Sequence, residues 1–267
     1  MDNYLKRRVC ILVKAYPQPS QKYEETVCVA AVTEAHELVR LYPIRFRHLP
    51  EDKRFNRFDW IEVDMTRALD DPRPESFKVK EDSIRIVLRE DKQSPEDKVR
   101  LWKSSVVESL EVLKAQQNGT QRSLGIVRPD SASVRFTFEP LDRASAEAQE
   151  TTRSVYAQQS LLEKPLTQLP GPEYVFRYQF TSGGNRHSMQ LHDWEVEATY
   201  HAYKSKYGSE EAALEKMVAY FQQLTPARNL HLIMGNMHKR PWQFIIIGVL
   251  RTTADVEKAD AQKDLFQ

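Results

Sequence analysis

At 267 residues, with 40% hydrophobic and 29% charged side chains, the chain has enough apolar material for one large or two small cores. Its 39 Lys and Arg nearly balance 38 Asp and Glu, which excludes both a polycation and an acidic solvating chain. Two cysteines exclude a small disulfide scaffold, and any nucleic-acid surface must come from local segregation of charge.

The opening MDNYLKRR leads into only five apolar residues, too few for a signal core or a membrane span, so the expected location is the cytoplasm. Cys10 and Cys28 sit in the apolar runs VCILV and TVCVAAV and read as buried thiols of a reducing compartment. Short runs rich in β-branched and aromatic residues predict strands at Arg8 to Ala15, Thr26 to Thr33, Leu38 to Tyr42, Trp60 to Thr66 and Ser83 to Arg89. Turn signals separate them at Tyr16-Pro17-Gln18-Pro19, Leu49-Pro50-Glu51-Asp52 and Asp70-Asp71-Pro72-Arg73-Pro74. Five short strands in this space predict a small barrel or a strongly curved sheet.

Ser94-Pro95-Glu96-Asp97 starts a helix, with a serine cap, proline in the first turn and acids beside the positive dipole end. Val106, Leu110 and Leu113 continue its apolar stripe to Asn118-Gly119. Strand character returns at Ser123 to Val127 and Val134 to Phe138. Arg143 to Gln168 reads as a partly helical connector, closed by Leu169-Pro170-Gly171-Pro172. Beyond it, Tyr174 to Thr181 alternates as a strand, Asp193 to Tyr207 forms a helix, and Leu214, Met217, Val218 and Phe221 stripe a second. Leu230 to Met234 and Trp242 to Leu250 are strands joined through GNMHKRP, and the run FIIIGV is expected in the middle of a sheet. The expected fold is α+β. A small β-barrel-like domain with one helix (1–142) and a connector (143–172) precede an α/β domain around a central hairpin (173–251) and a flexible tail (252–267).

Three constellations have chemical potential. Asp193, Glu197 and His201 recur every fourth residue on one helix face, a spacing that suits a divalent metal or an acid/base pair. Asp193 is equally well placed as a helix cap. The hairpin GNMHKRPW offers His238, Lys239 and Arg240 at a tight connection, and placing His238 beside His201 would assemble a site for metal-dependent phosphodiester hydrolysis. No nuclease signature stands at its required spacing. Between residues 40 and 57, Arg40, Arg45, Arg47, Lys53, Arg54 and Arg57 interleave with Tyr42, Phe46 and Phe55, and Phe58 follows. Arginines that grip phosphates beside aromatics that stack on bases are the physics of single-strand binding, and on a small barrel point to an OB or PUA-like module. The alternative is that these aromatics are core and their arginines solvated neighbours.

The closing segment, Thr252 to Lys263, is polar and aperiodic, yet Leu265 and Phe266 follow it. Docking in a partner's pocket would regain about 1.5–3 kcal/mol for each of them. Gln262, Asp264, Leu265 and Phe266 resemble the peptide by which bacterial polymerases and mismatch-repair proteins dock on the sliding clamp, with Lys263 in place of the usual Leu. The resemblance implies a bacterial or phage protein acting on DNA in replication or repair. Asp193-Trp194-Glu195 and Gly235-Asn236-Met237-His238 also resemble uncharacterised bacterial proteins and imply no activity.

The expected function is therefore a DNA-transaction protein that binds nucleic acid, DNA rather than RNA, and is tethered to the sliding clamp. The alternatives are a metal-dependent nuclease and a non-catalytic subunit of a mobile-element or phage-defence system. P-loop and cysteine-zinc signatures are absent, so neither ATP nor structural zinc is expected, and a divalent metal enters only with the nuclease.

Overall fold

The structure, a computed structural model, describes residues 3–20, 24–142, 144, 145, 147, 171–222, 229–238 and 240–257. Its first strand, β1 (Leu5–Lys14), alternates Val9 and Ile11 toward one side with Cys10 and Leu12 toward the other. A period of two with both faces apolar requires cover on both sides. The inner cover comes from β3 (Glu24–Thr33), β4 (Leu38–Ile44), β5 (Trp60–Arg67) and β6 (Ser76–Val79). Among the described strands these form a closed ring in the order β1-β3-β4-β6-β5-β1. The β4–β6 pair is parallel and the other four are antiparallel. In barrel order this is 1-2-3-5-4, the arrangement of an OB-type Greek-key barrel. Val9, Ile11, Val29, Val39, Leu41, Ile61, Val63 and Met65 fill the interior.

The expected small barrel is present, though its closing strand was not among the runs read from sequence. That strand is β6, four residues opening on Ser76. The fifth expected run supplies β7 (Arg85–Leu88), which lies outside the ring against β5. A short β2 (Gln18–Ser20) extends β3.

Ser94 caps α1 (Pro95–Lys103) through a full capping box with Asp97. The long helix expected to reach Gly119 is two helices. Val106 and Val107 leave the helix to form β8 (Val106–Val107), pairing in parallel with β9 (Leu124–Val127). Adjacent β-branched residues lose least freedom in a strand, and Ser109 then recaps α2 (Leu110–Thr120) by accepting from the Val112 amide.

The remaining strands are β10 (Arg135–Pro140), β11 (Tyr174–Ser182), β12 (Asn185–Gln190), β13 (Asn229–Met237) and β14 (Arg240–Thr252), with helices α3 (Trp194–Tyr207) and α4 (Glu210–Gln222). β10, β11 and β12 make one sheet, and β14-β13-β9-β8 another. Strands from residues 106–127 thus share a sheet with the C-terminal hairpin. Between the two sheets and the helices lies an aromatic core that includes Phe136, Phe176, Tyr178, Tyr200 and Phe221, with Phe136 stacked on Phe221 at 4.8 Å. β14 ends the four-stranded sheet instead of taking the expected central place, with one further bridge from Ile246 to Leu191 on its outer side. Its two apolar faces are explained by Phe244, Ile246 and Val249 on this core and Ile247 and Leu250 on the barrel. No described helix is long and apolar enough to cross a membrane.

Candidate nucleic-acid interface

Much of the outer faces of β1, β3 and β4 does not meet solvent. Cys10, Leu12, Val13, Ala30, Val32 and Leu38 pack against Leu124, Ile126, Ile233, Ile247 and Leu250 of the C-terminal sheet. In an OB-type barrel the second and third strands, here β3 and β4, form the usual oligonucleotide platform. In this chain a sheet covers much of it. Arg40 projects from that face into the seam, 3% exposed, and donates to Ser123 Oγ at 2.7 Å and Ser76 Oγ at 3.3 Å. Glu75 completes the network by accepting from the Ser123 and Leu124 amides at 2.9 and 3.3 Å. Satisfied in this way, the Arg40 guanidinium is a structural cation and is not available to a phosphate.

Other members of the basic stretch are likewise engaged. Arg45 pairs with Glu81 at 3.0 Å. Arg57 donates to the Leu12 carbonyl at 2.7 Å and pairs with Glu195 at 3.0 Å and Asp193 at 3.8 Å. Phe46 and Phe55 are core rings in edge contact at 4.9 Å, and Arg47 is half-buried beside them. Lys53 reaches the Asp82 carbonyl, while Arg54 is exposed and braced by the Leu49 and Arg47 carbonyls at 3.0 Å each. Among the described residues Lys53 and Arg54 have no carboxylate partner.

The four expected catalytic residues do not converge. Asp193 is the cap of α3, 2% exposed, accepting from the Glu195 amide and facing Arg57. Burial holds its carboxyl up, to about 6, against the attraction of Arg57. Glu197 is buried one turn on, and His201 stacks edge-on to Tyr200 at 5.2 Å. His238 lies elsewhere, its Nδ1 3.6 Å from Asp71 Oδ1. Among the described residues no three His, Cys, Asp or Glu side chains form a metal-holding group.

What His238 does meet defines a different site. The loop from Ala68 to Glu75 joins β5 to β6, the ligand-binding loop between strands four and five of OB-type barrels. Arg73 folds back on Asp71 through Nε at 2.9 Å and through its terminal nitrogen at 2.6 Å. Its other nitrogen donates to the Asn236 carbonyl at 3.1 Å. Burial raises the Asp71 carboxyl, but hydrogen bonds from Arg73 and Ser76 outweigh it and hold the group well below the carboxylate range. On the hairpin, Asn236 Nδ2 donates to the Pro241 carbonyl at 2.9 Å, bracing the turn where Met237 pairs with Arg240.

The loop and the hairpin are thus tied together at their bases while their tips stay open. Leu69 is 87% exposed, Trp242 69% and Met237 40%, with Arg240 and His238 also in solvent. On the braced hairpin the exposed Trp242, Met237, Arg240 and His238 offer an indole, an apolar side chain, a guanidinium and an imidazole, groups that can stack on a base and hold its phosphate. The hairpin tip was legible as basic. Trp242 had read as an ordinary strand residue, and Leu69 was missed, although a lone leucine beside Asp70-Asp71-Pro72 was a signal of exposure. Lys239, Gln262, Asp264, Leu265 and Phe266 lie outside the described residues.

Among solved structures, one reported as the structure and conformational change of a replication protein A heterotrimer bound to ssDNA is similar over 98% of this chain and 69% of its own. Identity is 10% and the TM-score 0.24, too low to bear on fold or function. No curated protein matches the chain. Residues 5–104 match a domain of unknown function, DUF8758, so a family boundary falls where the barrel and α1 end. Residues 106–267 match a second domain of unknown function, DUF8757, and the chain belongs to that family.

Proposed function

We propose that the chain is a DNA-transaction protein that binds nucleic acid at the tied loop and hairpin and is held at the sliding clamp by its C-terminal peptide. The supporting observation is Trp242, an indole 69% exposed on a hairpin braced by Asn236 and Arg73 and flanked by the exposed Arg240. A large apolar ring held in water by a rigid support is unfavourable unless a partner covers it, and a nucleobase has a matching π-face. The position of the loop, between the fourth and fifth barrel strands, agrees with the site that OB-type barrels use. Arg240 supplies charge for the backbone phosphates. For the tether, support comes from Gln262, Asp264, Leu265 and Phe266 in sequence.

Fluorescence anisotropy of a labelled single strand tests the first part. The double variant Trp242→Ala/Arg240→Ala is expected to weaken binding by about 10- to 100-fold, with a shallower dependence on salt. Unchanged affinity would remove the site. In a second arm, binding to purified bacterial sliding clamp should vanish in Leu265→Ala/Phe266→Ala, and persistence there would remove the tether alone.

A further inference from the structure

The outer face of the β10-β11-β12 sheet is not used by this reading. Its register sets Arg135 opposite Gln179 and Gln179 opposite Ser188, with Thr181 opposite Arg186 one step along. Opposed residues share a face of the sheet. The two arginines therefore flank β11 from either side, with Cβ atoms roughly 10–12 Å apart by strand spacing and rise. Side chains of that length can converge on a single anion above the middle strand.

A hollow of about 510 Å³ lies at this place, lined by Arg135, Gln179, Thr181, Arg186, His187 and Ser188, among others. Among the described residues no carboxylate lines it. Arg177, the third arginine of the face, is neutralised by Glu139 at 2.9 Å. Arg135 is braced by the Ala132 and Val134 carbonyls at 3.2 and 2.8 Å through one terminal nitrogen, which leaves the rest of its fork free. Arg186 is exposed, and among the described residues neither it nor the side chains of Gln179, Thr181 and Ser188 have a partner. His187 Nε2 is 3.2 Å from Glu111 Oε1, which backs the ring from behind the sheet. Two guanidinium forks, two hydroxyls and an amide without a competing acid match the oxygens of a phosphate group.

We propose that this face is a phosphate-binding site, separate from the hairpin and independent of whether the hairpin binds nucleic acid. The phosphate is that of a nucleic-acid strand or of a free mononucleotide, which share the chemistry. The test is a titration of the ¹⁵N-labelled full chain with inorganic phosphate, followed by amide resonances. Saturable shifts at Thr181, Arg186 and Ser188 are expected, with affinity lowered at least about tenfold in Arg135→Ala/Arg186→Ala and largely kept in Arg135→Lys/Arg186→Lys. Absence of shifts at these residues, or the same titration in the alanine variant, overturns the proposal. The source is then read by repeating the titration with oligothymidylate and with thymidine monophosphate. Tighter binding of the strand assigns a backbone contact and equal binding a nucleotide site, and either upholds the phosphate site. The alanine variant keeps Trp242 and Arg240, so loss here is distinguishable from failure at the hairpin.

Discussion

His231 shows how one side chain links the seam to pH. It is 4% exposed, and its ring lies 4.7 Å from that of Trp102. Burial, aided by Arg128, lowers its pKa from 6.5 to about 4. Between those values the unfolded chain binds the proton and the folded one does not, so stability is full above pH 6.5 and is lost as pH falls toward 4. The loss reaches roughly 3 kcal/mol for this group. His231→Phe keeps the ring packing without the titration and should flatten urea stability between pH 6.5 and 4. Parallel losses in both proteins would contradict this. His192, lowered by burial to about 4, should leave part of the slope in the variant. Asp193 acts in the opposite sense, since its raised carboxyl favours the folded state as pH falls through 6 toward 3.8.

Elements meet closely where β14 crosses β1. A Cβ on Gly248 would stand 2.6 Å from Val13 Cγ2 and 2.8 Å from Val13 Cβ, so no side chain fits without moving a strand. Gly248→Ala is expected to cost about 1–3 kcal/mol in urea unfolding, and a neutral result would show that the strands slide. Much at this scale was legible in sequence. The strand alternation of β1, β3, β4 and β5, the Ser94 cap and the Asp193 cap are local chemistry, and they fall where their residues place them. What was not legible depends on partners. β6 is a strand because β4 and β5 flank it, and the helical stripe through Val106 is broken because β9 offers a pairing. Arg40 and Arg57 read as outward charges, but a sheet from the other half of the chain covers one, and Leu12, Asp193 and Glu195 hold the other. Trp242 shows the reverse, an aromatic that periodicity assigns to packing and the hairpin leaves in water.

For the whole molecule, the seam decides whether the barrel can stand alone. Cys10, Leu12, Val13, Ala30, Val32 and Leu38 line one barrel face and are covered by residues of the other family domain. A chain of residues 1–104 would expose them as one apolar patch. It is expected to aggregate or to bind 1-anilinonaphthalene-8-sulfonate, whereas the full chain unfolds in a single transition. A monomeric, dye-silent fragment would show the seam to be dispensable. Cys10 reports the same burial, which pushes its thiol up to about 12 and leaves it unreactive while the seam is closed.

The indole on the hairpin has an optical consequence. Of four tryptophans, Trp102 is 2% exposed, Trp60 and Trp194 are half-buried, and Trp242 alone stands mostly in water. Its emission is the component most open to collisional quenchers, so the chain has an intrinsic, label-free probe at the surface where a ligand would arrive.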